Sequence, residues 1–161
     1  MTRAWIATGS NLGDRAARIE AALAELERDP RVRGLVASRL VETEPVGGPA
    51  GQPRFLNGVA RLDFEGQAEA LLDLLQALEE RAGRVRAEPN GPRTLDLDLL
   101  FFGDLELSGP RLTVPHPRLE ERPFVLEPLV ELEPTLRLPR SGRTAVEQLA
   151  HLRRESDTAQ A

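Results

Sequence analysis

Apolar and polar positions along the chain follow either the period of a strand or that of a helix. The first change from the strand pattern to the helix pattern lies near the N-terminus. Residues 5–7 are apolar and are followed by the polar and glycine residues 9–11, a pattern that predicts a first strand and then a turn. Ile19, Leu23 and Leu26 then recur at helical spacing. The chain therefore opens as strand, loop and helix.

The same reasoning predicts the next elements. Apolar and polar residues alternate over 56–64, and the leucine stripe of residues 68–82 is amphipathic at helical period and ends at Gly83. Between the strands, residues 44–53 contain three prolines and three glycines, which exclude regular structure. The predicted elements are a second strand over 32–41, a third over 56–64, a helix over 68–82 and a fourth strand over 95–102.

The resulting order is βαββαβ, which is characteristic of an α+β, ferredoxin-like sandwich with an antiparallel sheet. A short hairpin over 105–114 and two helical segments over 120–132 and 144–152 would form the layer on the other face, so that helices enclose the sheet. We therefore expect one domain over residues 1–161, with fraying from about residue 155.

The turn of residues 9–13 has two interpretations. Ser10 or Asn11 could cap the following helix through a side-chain oxygen. Alternatively, the two glycines Gly9 and Gly13 could shape a loop that binds phosphate, although this glycine pattern is of low specificity.

Composition narrows the classes of function. The 161 residues carry 21 basic and 26 acidic side chains, a formal net charge of -5, which argues against a nucleic-acid or membrane-surface binder. We expect a cytoplasmic protein, because no segment predicts a membrane span or a secretory signal. The chain has no cysteine, which excludes disulfides and thiolate catalysis, and its two histidines argue against a histidine-rich zinc site.

Two acidic residues on the fourth predicted strand provide the most informative chemistry. Asp96 and Asp98 are two positions apart, so on a strand both carboxylates point to one face, about 6.6 Å apart. Oxygen ligands without His or Cys suit Mg²⁺. The alternative is a half-buried strand with a solvated acidic face.

Arginines flank this acidic strand, and every basic side chain in the chain is arginine. Four of them lie between residues 81 and 93, where Glu88 is the one acid. A cationic loop beside paired carboxylates is the layout of a phosphoryl-transfer site. The alternative is a set of solvated charges paired with nearby glutamates. His116, between two prolines, fits either a structural histidine or a nucleotide contact.

Five motifs in order resemble one enzyme family: residues 9–13 (GSNLG), 55–57 (FLN), 83–86 (GRVR), 91–98 (GPRTLDLD) and 112–116 (LTVPH). Together they resemble 6-hydroxymethyl-7,8-dihydropterin pyrophosphokinase, and GPRTLDLD is highly specific for that family. The resemblance implies ATP-dependent transfer of pyrophosphate to the pterin's hydroxymethyl group, releasing AMP, in folate biosynthesis.

The resemblance also implies roles for individual residues. Asp96 and Asp98 match the pair that holds two Mg²⁺ ions, and Arg84 and Arg93 match the arginines that grip the triphosphate of the co-substrate ATP. The remaining matches are Gln76, Glu79, Arg86, Leu99, Arg111, Thr113, His116 and Arg122 for ATP, and Thr43, Val46, Phe55, Asn57 and Phe124 for the pterin.

We therefore expect a monomeric enzyme whose partners are the small molecules ATP and hydroxymethyldihydropterin. A ferredoxin-like module that binds pterin or nucleotide without turnover is the first alternative, and a nucleotide-binding regulatory protein is the second. A coupled assay for AMP release, with and without the hydroxymethylpterin, separates all three.

Overall fold

The structure, a computed structural model, describes residues 1–44, 51–83 and 95–160. Within these ranges the elements follow the predicted order with small shifts of boundary, except that the second predicted strand is divided in two. They are β1 (Thr2–Ser10), α1 (Arg15–Arg28), β2 (Val32–Ala37), β3 (Val41–Thr43), β4 (Phe55–Phe64), α2 (Ala68–Arg81), β5 (Asp96–Phe102), β6 (Leu107–Ser108), β7 (Thr113–Val114), a 3₁₀ turn (Leu119–Glu121), α3 (Pro123–Leu132) and α4 (Ala145–Gln160).

The described strands β1 to β5 form one antiparallel sheet in the order β2-β4-β1-β5, and β3 pairs with β4 beside β2. This is the α+β, ferredoxin-like arrangement that the sequence predicts. Strands β6 and β7 form the predicted hairpin. Strand β1 lies at the centre, so residues near its end have neighbours on both sides.

Helices cover both faces of the sheet, as predicted. On one face, Ile19 and Leu26 of α1 and Leu71 and Leu75 of α2 are fully buried against the sheet residue Leu62. A second core lies on the opposite face, beneath α3 and α4; it contains Trp5, Val59, Leu100, Leu126, Leu129 and Leu149. Each face thus buries its own apolar cluster.

The predicted strand over 32–41 is in fact two strands. After β2 the Ser38 hydroxyl, rather than a backbone carbonyl, accepts the Val59 N–H at 2.9 Å. The next backbone N–H, that of Arg39, donates to the Glu131 carboxylate at 2.8 Å. The Ser38 N–H still donates to the Val59 carbonyl at 2.9 Å, so side chains replace only part of the backbone ladder here, and the strand resumes at Val41.

The predicted cap of α1 is wrong. Asp14 is the N-cap, and its Oδ1 accepts the Ala17 N–H at 3.2 Å. Asn11 instead donates through Nδ2 to Gln52 Oε1 at 2.9 Å and to the Pro53 carbonyl at 3.1 Å. Asn11 thus ties the turn after β1 to the segment that leads into β4.

The C-terminal ends of α2 and α4 can be compared with the predicted ends. Helix α2 ends as predicted, with Gly83 at a φ of 79° and its N–H donating to the Glu80 carbonyl. Helix α4 continues to Gln160, past residue 155 where the sequence predicted fraying. None of the helices in the described ranges combines the length and apolar character needed to span a bilayer.

Candidate active site

The end of β1 brings together side chains that are far apart in the sequence. Gly9 pairs with Asn57 of β4 on one side and with Asp96 of β5 on the other, and Ala7 pairs with Asp98. Glycine leaves open the space in front of the strand, so that the Asn57 amide oxygen would lie only 3.0 Å from a Cβ at position 9. Asn57 and Asp96 therefore flank one open point on the sheet.

Strand β5 presents its two aspartates on one face, as the sequence predicts. Leu97 and Leu99 belong to the core beneath α1 and α2, whereas Asp96 and Asp98 are half-buried and both line one small cavity. In the part of the chain that the structure describes, no group of three or more His, Cys, Asp or Glu side chains gathers around one point.

A β-bulge follows the aspartates and positions His116. Leu99 and Phe101 pair with the consecutive residues Ile6 and Trp5, so Leu100 is the extra residue of β5. Its carbonyl accepts the His116 N–H at 2.9 Å. The bulge thereby fixes His116 beside Asp98, and both residues line the same cavity.

The His116 imidazole is neutral at physiological pH. Burial lowers its pKa below the ordinary 6.5, and the nearby Arg122 guanidinium lowers the pKa further. Nδ1 accepts the Arg118 N–H at 3.2 Å, so the neutral ring carries its proton on Nε2. His116 is therefore a hydrogen-bond donor through Nε2.

A cavity of about 560 Å³ lies between the ends of β3 and β4 and the start of α3. We call it the Phe124 cavity. The Asn57 amide donates to the Thr43 hydroxyl at its wall, and the Arg122 guanidinium carbon lies 5.6 Å from the centre of the Phe124 ring. The cavity is lined by Thr43, Glu44, Phe55, Asn57, Asp96, Arg118, Glu121, Arg122, Pro123 and Phe124.

A second cavity, of about 300 Å³, lies on the other side of β5 against α2 and the hairpin, and we call it the Arg111 cavity. At its edge Arg111 donates to Gln76 Oε1 at 3.3 Å and forms an ion pair with Asp73. It is lined by Leu72, Gln76, Glu79, Leu97, Asp98, Leu99, Arg111, Leu112, Thr113, His116 and Pro117.

A small central cavity of about 50 Å³ shares lining residues with each of the other two. Asp96 lines the central and Phe124 cavities, and Asp98 and His116 line the central and Arg111 cavities. The paired carboxylates thus lie at the junction of two binding spaces. Such a junction suits a reaction between two bound molecules.

Glu79 supports this junction from α2. The side chain is only 3% exposed, and its Oε2 accepts the Leu97 N–H at 2.9 Å. Because Leu97 lies between the two aspartates, Glu79 helps to hold the strand that presents them.

The structure brings together the predicted residues that it describes, with one difference of placement. Arg122, predicted on the ATP side, lies beside Phe124 and lines the central and Phe124 cavities. Four predicted residues lie outside the described residues: Val46, Arg84, Arg86 and Arg93.

Sequence reasoning missed some residues of the cavities. Gly9 was interpreted as part of a turn or phosphate loop, whereas the structure places it between Asn57 and Asp96. Arg118 and Glu121 line the Phe124 cavity and had no assigned role. Arg111, Arg118 and Arg122 surround His116 in the sequence, and this was the available signal for Arg118. The local sequence pattern does not show which cavity Arg118 or Glu121 lines.

Comparisons with known proteins point to one family. Residues 5–134 match the family model described as 7,8-dihydro-6-hydroxymethylpterin-pyrophosphokinase (HPPK). The chain is 51% identical over 148 residues to the 2-amino-4-hydroxy-6-hydroxymethyldihydropteridine pyrophosphokinase of Pseudomonas aeruginosa, covering 92% of this chain and 90% of that protein. The enzyme of the same name from Synechocystis is 40% identical over 144 residues, covering 89% of this chain and 73% of that protein.

The fold is shared with a solved structure of much lower sequence identity. Wild-type HPPK-DHPS of Plasmodium falciparum, solved with SDX-DHP, superposes with a TM-score of 0.72 at 14% identity. The match covers 100% of this chain and 45% of that one, so this chain spans less than half of the solved protein.

Proposed function

The chain belongs to the 7,8-dihydro-6-hydroxymethylpterin-pyrophosphokinase family, and on that premise we propose how its cavities perform the reaction of the family. The reaction transfers a pyrophosphoryl group to the hydroxymethyl group of 6-hydroxymethyl-7,8-dihydropterin in folate biosynthesis. ATP is the donor and AMP the second product in our proposal. The position of Asp96 and Asp98 between two cavities is the observation that supports it most strongly.

The Phe124 cavity binds the pterin in this proposal. Phe55 and Phe124 line it, and stacking of a flat bicyclic ring on such aromatic side chains is worth about 1 kcal/mol per aromatic pair beyond burial. Asn57 and Thr43 are joined by a hydrogen bond at the wall and present polar atoms to the edge of the ring. Val46 is assigned to the pterin by the resemblance alone, because it lies outside the described residues.

The Arg111 cavity binds ATP. Gln76, Arg111 and Thr113 supply polar groups at its edge, and Leu99 supplies apolar surface. His116 donates from Nε2 toward a phosphate oxygen, because Nδ1 is engaged by the Arg118 N–H. Glu79 lines this cavity and also holds the backbone of β5, because its Oε2 accepts the Leu97 N–H.

Asp96 and Asp98 hold Mg²⁺, with two ions as the family resemblance implies. The donor set fits: two carboxylates on one strand face, at a junction where substrate phosphates and water would supply the remaining oxygens. Bound there, Mg²⁺ would neutralise negative charge on the phosphate oxygens.

The residues of this chain then align the substrates. The acceptor is the pterin's own hydroxyl, so the site needs no side-chain nucleophile and no phosphorylated or adenylylated enzyme forms. Arg122, beside Phe124 and the central cavity, supplies positive charge between the two substrates. Arg84, Arg86 and Arg93 bind the triphosphate in our proposal, which for these three rests on the resemblance alone.

A coupled assay for AMP release tests the proposal. We expect release with ATP, Mg²⁺ and hydroxymethyldihydropterin together, and none when the pterin is omitted or the metal is chelated. A module without turnover would bind pterin but release no AMP under any of these conditions. Release that persists in excess chelator would contradict the metal assignment while leaving the activity itself intact.

A further inference from the structure

Glu120 is a buried carboxylate that none of the proposed steps uses. It is the middle residue of the 3₁₀ turn between His116 and α3, and it is only 7% exposed. Its two oxygens accept the backbone N–H of Arg140 at 2.7 Å and of Ser141 at 2.9 Å. Hydrogen bonds to a charged acceptor are stronger than neutral ones, so this carboxylate anchors the connection between α3 and α4.

Further hydrogen bonds join the same two segments. The Gln148 side-chain amide, on α4 and 6% exposed, donates to the Glu120 carbonyl at 2.8 Å. The Arg140 guanidinium donates to the Pro117 carbonyl at 2.9 Å. We call Glu120, Arg140, Ser141 and Gln148 the Glu120 clamp. The clamp secures residues 117–120 at two points, one near each end.

Residues of the active site lie on both sides of the clamped segment, residues 117–120. His116 precedes it and lines the central and Arg111 cavities, and Arg122 follows it and lines the central and Phe124 cavities. Glu120 itself is not among the residues that line these three cavities. Any effect of Glu120 on the reaction must therefore pass through the residues on either side of it.

We propose that Glu120 is a positioning residue for pyrophosphoryl transfer: its clamp on the α3–α4 connection holds His116 and Arg122 where the two substrate cavities meet. This inference rests on the proposed function of the site. Transfer between two bound substrates depends on alignment, and a small displacement of a binding group lowers the rate strongly. The clamp supplies that rigidity from a connection outside the cavities.

Glu120→Ala and Glu120→Gln test the inference, with Glu147→Ala as the matched control. Glu147 lies on the same helix as Gln148, where it accepts the Thr144 N–H at 2.8 Å in a capping box, and it lines none of the three cavities. The control thus weakens the start of α4 without touching the clamp. Steady-state AMP release is measured at temperatures where each variant is fully folded.

We expect Glu120→Ala to lower kcat about tenfold or more and to raise KM for both ATP and pterin, because both cavities share the displaced segment. Glu120→Gln retains one acceptor oxygen, so its kcat and KM values should lie between those of Glu120→Ala and those of the native protein. Glu147→Ala should lower Tm yet keep kcat and both KM values within about twofold of native.

Two results separate failure of this inference from failure of the proposed function. If both Glu120 variants lose Tm like the control but keep native kcat and KM, Glu120 is structural only and the inference is overturned. If Glu120→Ala does not fold, native kinetics of Glu120→Gln overturn it equally. Absence of AMP release from the native protein would instead refute the proposed function.

Discussion

Adding one methyl group at Gly9 tests how closely the sheet is fitted to the pterin. Gly9 lies between Asn57 and Asp96, and a Cβ built there lies 3.0 Å from Asn57 Oδ1, 3.8 Å from the Leu56 carbonyl oxygen and 3.9 Å from Asp96 Cβ. The last two distances are ordinary contacts. Gly9→Ala therefore perturbs one neighbour, the Asn57 amide, which must move by a few tenths of an ångström.

The magnitude follows from what that amide does. The Asn57 side chain is hydrogen-bonded to the Thr43 hydroxyl and, in our proposal, to the edge of the pterin. A shift of its amide oxygen therefore weakens the one hydrogen bond to the pterin. A hydrogen bond contributes about 0.5–1.5 kcal/mol, or roughly a two- to tenfold change in affinity. The substitution should change the free energy of unfolding only slightly. Alanine lowers the entropy of the unfolded chain, which stabilises the protein by about 0.4–1 kcal/mol and offsets the cost of the close contact with Asn57.

The assay is calorimetric titration of the variant with hydroxymethyldihydropterin and, separately, with a non-hydrolysable ATP analogue. Pterin affinity should fall roughly two- to tenfold, while nucleotide affinity stays within about twofold. Gly109→Ala is the control, because its Cβ would meet only the Leu112 carbonyl at an ordinary 3.5 Å. Native pterin affinity in Gly9→Ala would refute the role of Asn57, and equal losses for both ligands with a large drop in Tm would show a general distortion of the sheet.

Three further predictions concern the site. Asp96→Ala or Asp98→Ala should abolish AMP release while circular dichroism and Tm show an intact fold; full activity at ordinary Mg²⁺ would contradict the metal assignment. Phe124→Ala should weaken pterin binding by titration about tenfold or more, equivalent to 1.4 kcal/mol, with nucleotide affinity little changed; equal losses with a large fall in Tm would identify a core residue. Burial is the main cause of the lowered pKa of His116, so the unfolded chain binds a proton at this histidine more readily than the folded chain does. The contribution of His116 to the free energy of unfolding is therefore fully present above pH 6.5 and is lost as the pH falls below that value. His116→Gln should reduce this acid sensitivity in urea unfolding, and an unchanged pH dependence would disprove it.

Local sequence pattern was sufficient for the elements and for one feature of the site. Helix and strand periods are properties of neighbouring residues, so the βαββαβ order and the end of α2 at Gly83 could be predicted without any long-range contact. The common face of Asp96 and Asp98 followed in the same way, because a strand repeats every two residues.

Wherever a partner comes from far along the chain, the local pattern was insufficient. Asn11 has the composition of a helix cap, yet its partners lie 41 and 42 residues away, and Asp14 caps α1 instead. The strand predicted over 32–41 is interrupted because Glu131, 92 residues distant, accepts the Arg39 N–H. In both cases a hydrogen bond to a residue distant in the sequence forms in place of the local hydrogen bond that the pattern predicts.

The sequence by itself therefore determined the order of elements, the shared face of the two carboxylates and, through its motifs, the family. Only the tertiary structure decided that Gly9 lies between Asn57 and Asp96, that a bulge at Leu100 holds His116, and that Glu120 clamps the segment leading to Arg122. The physical reason is that strand register and buried hydrogen bonds join residues through space, at separations that no local period of hydrophobicity records.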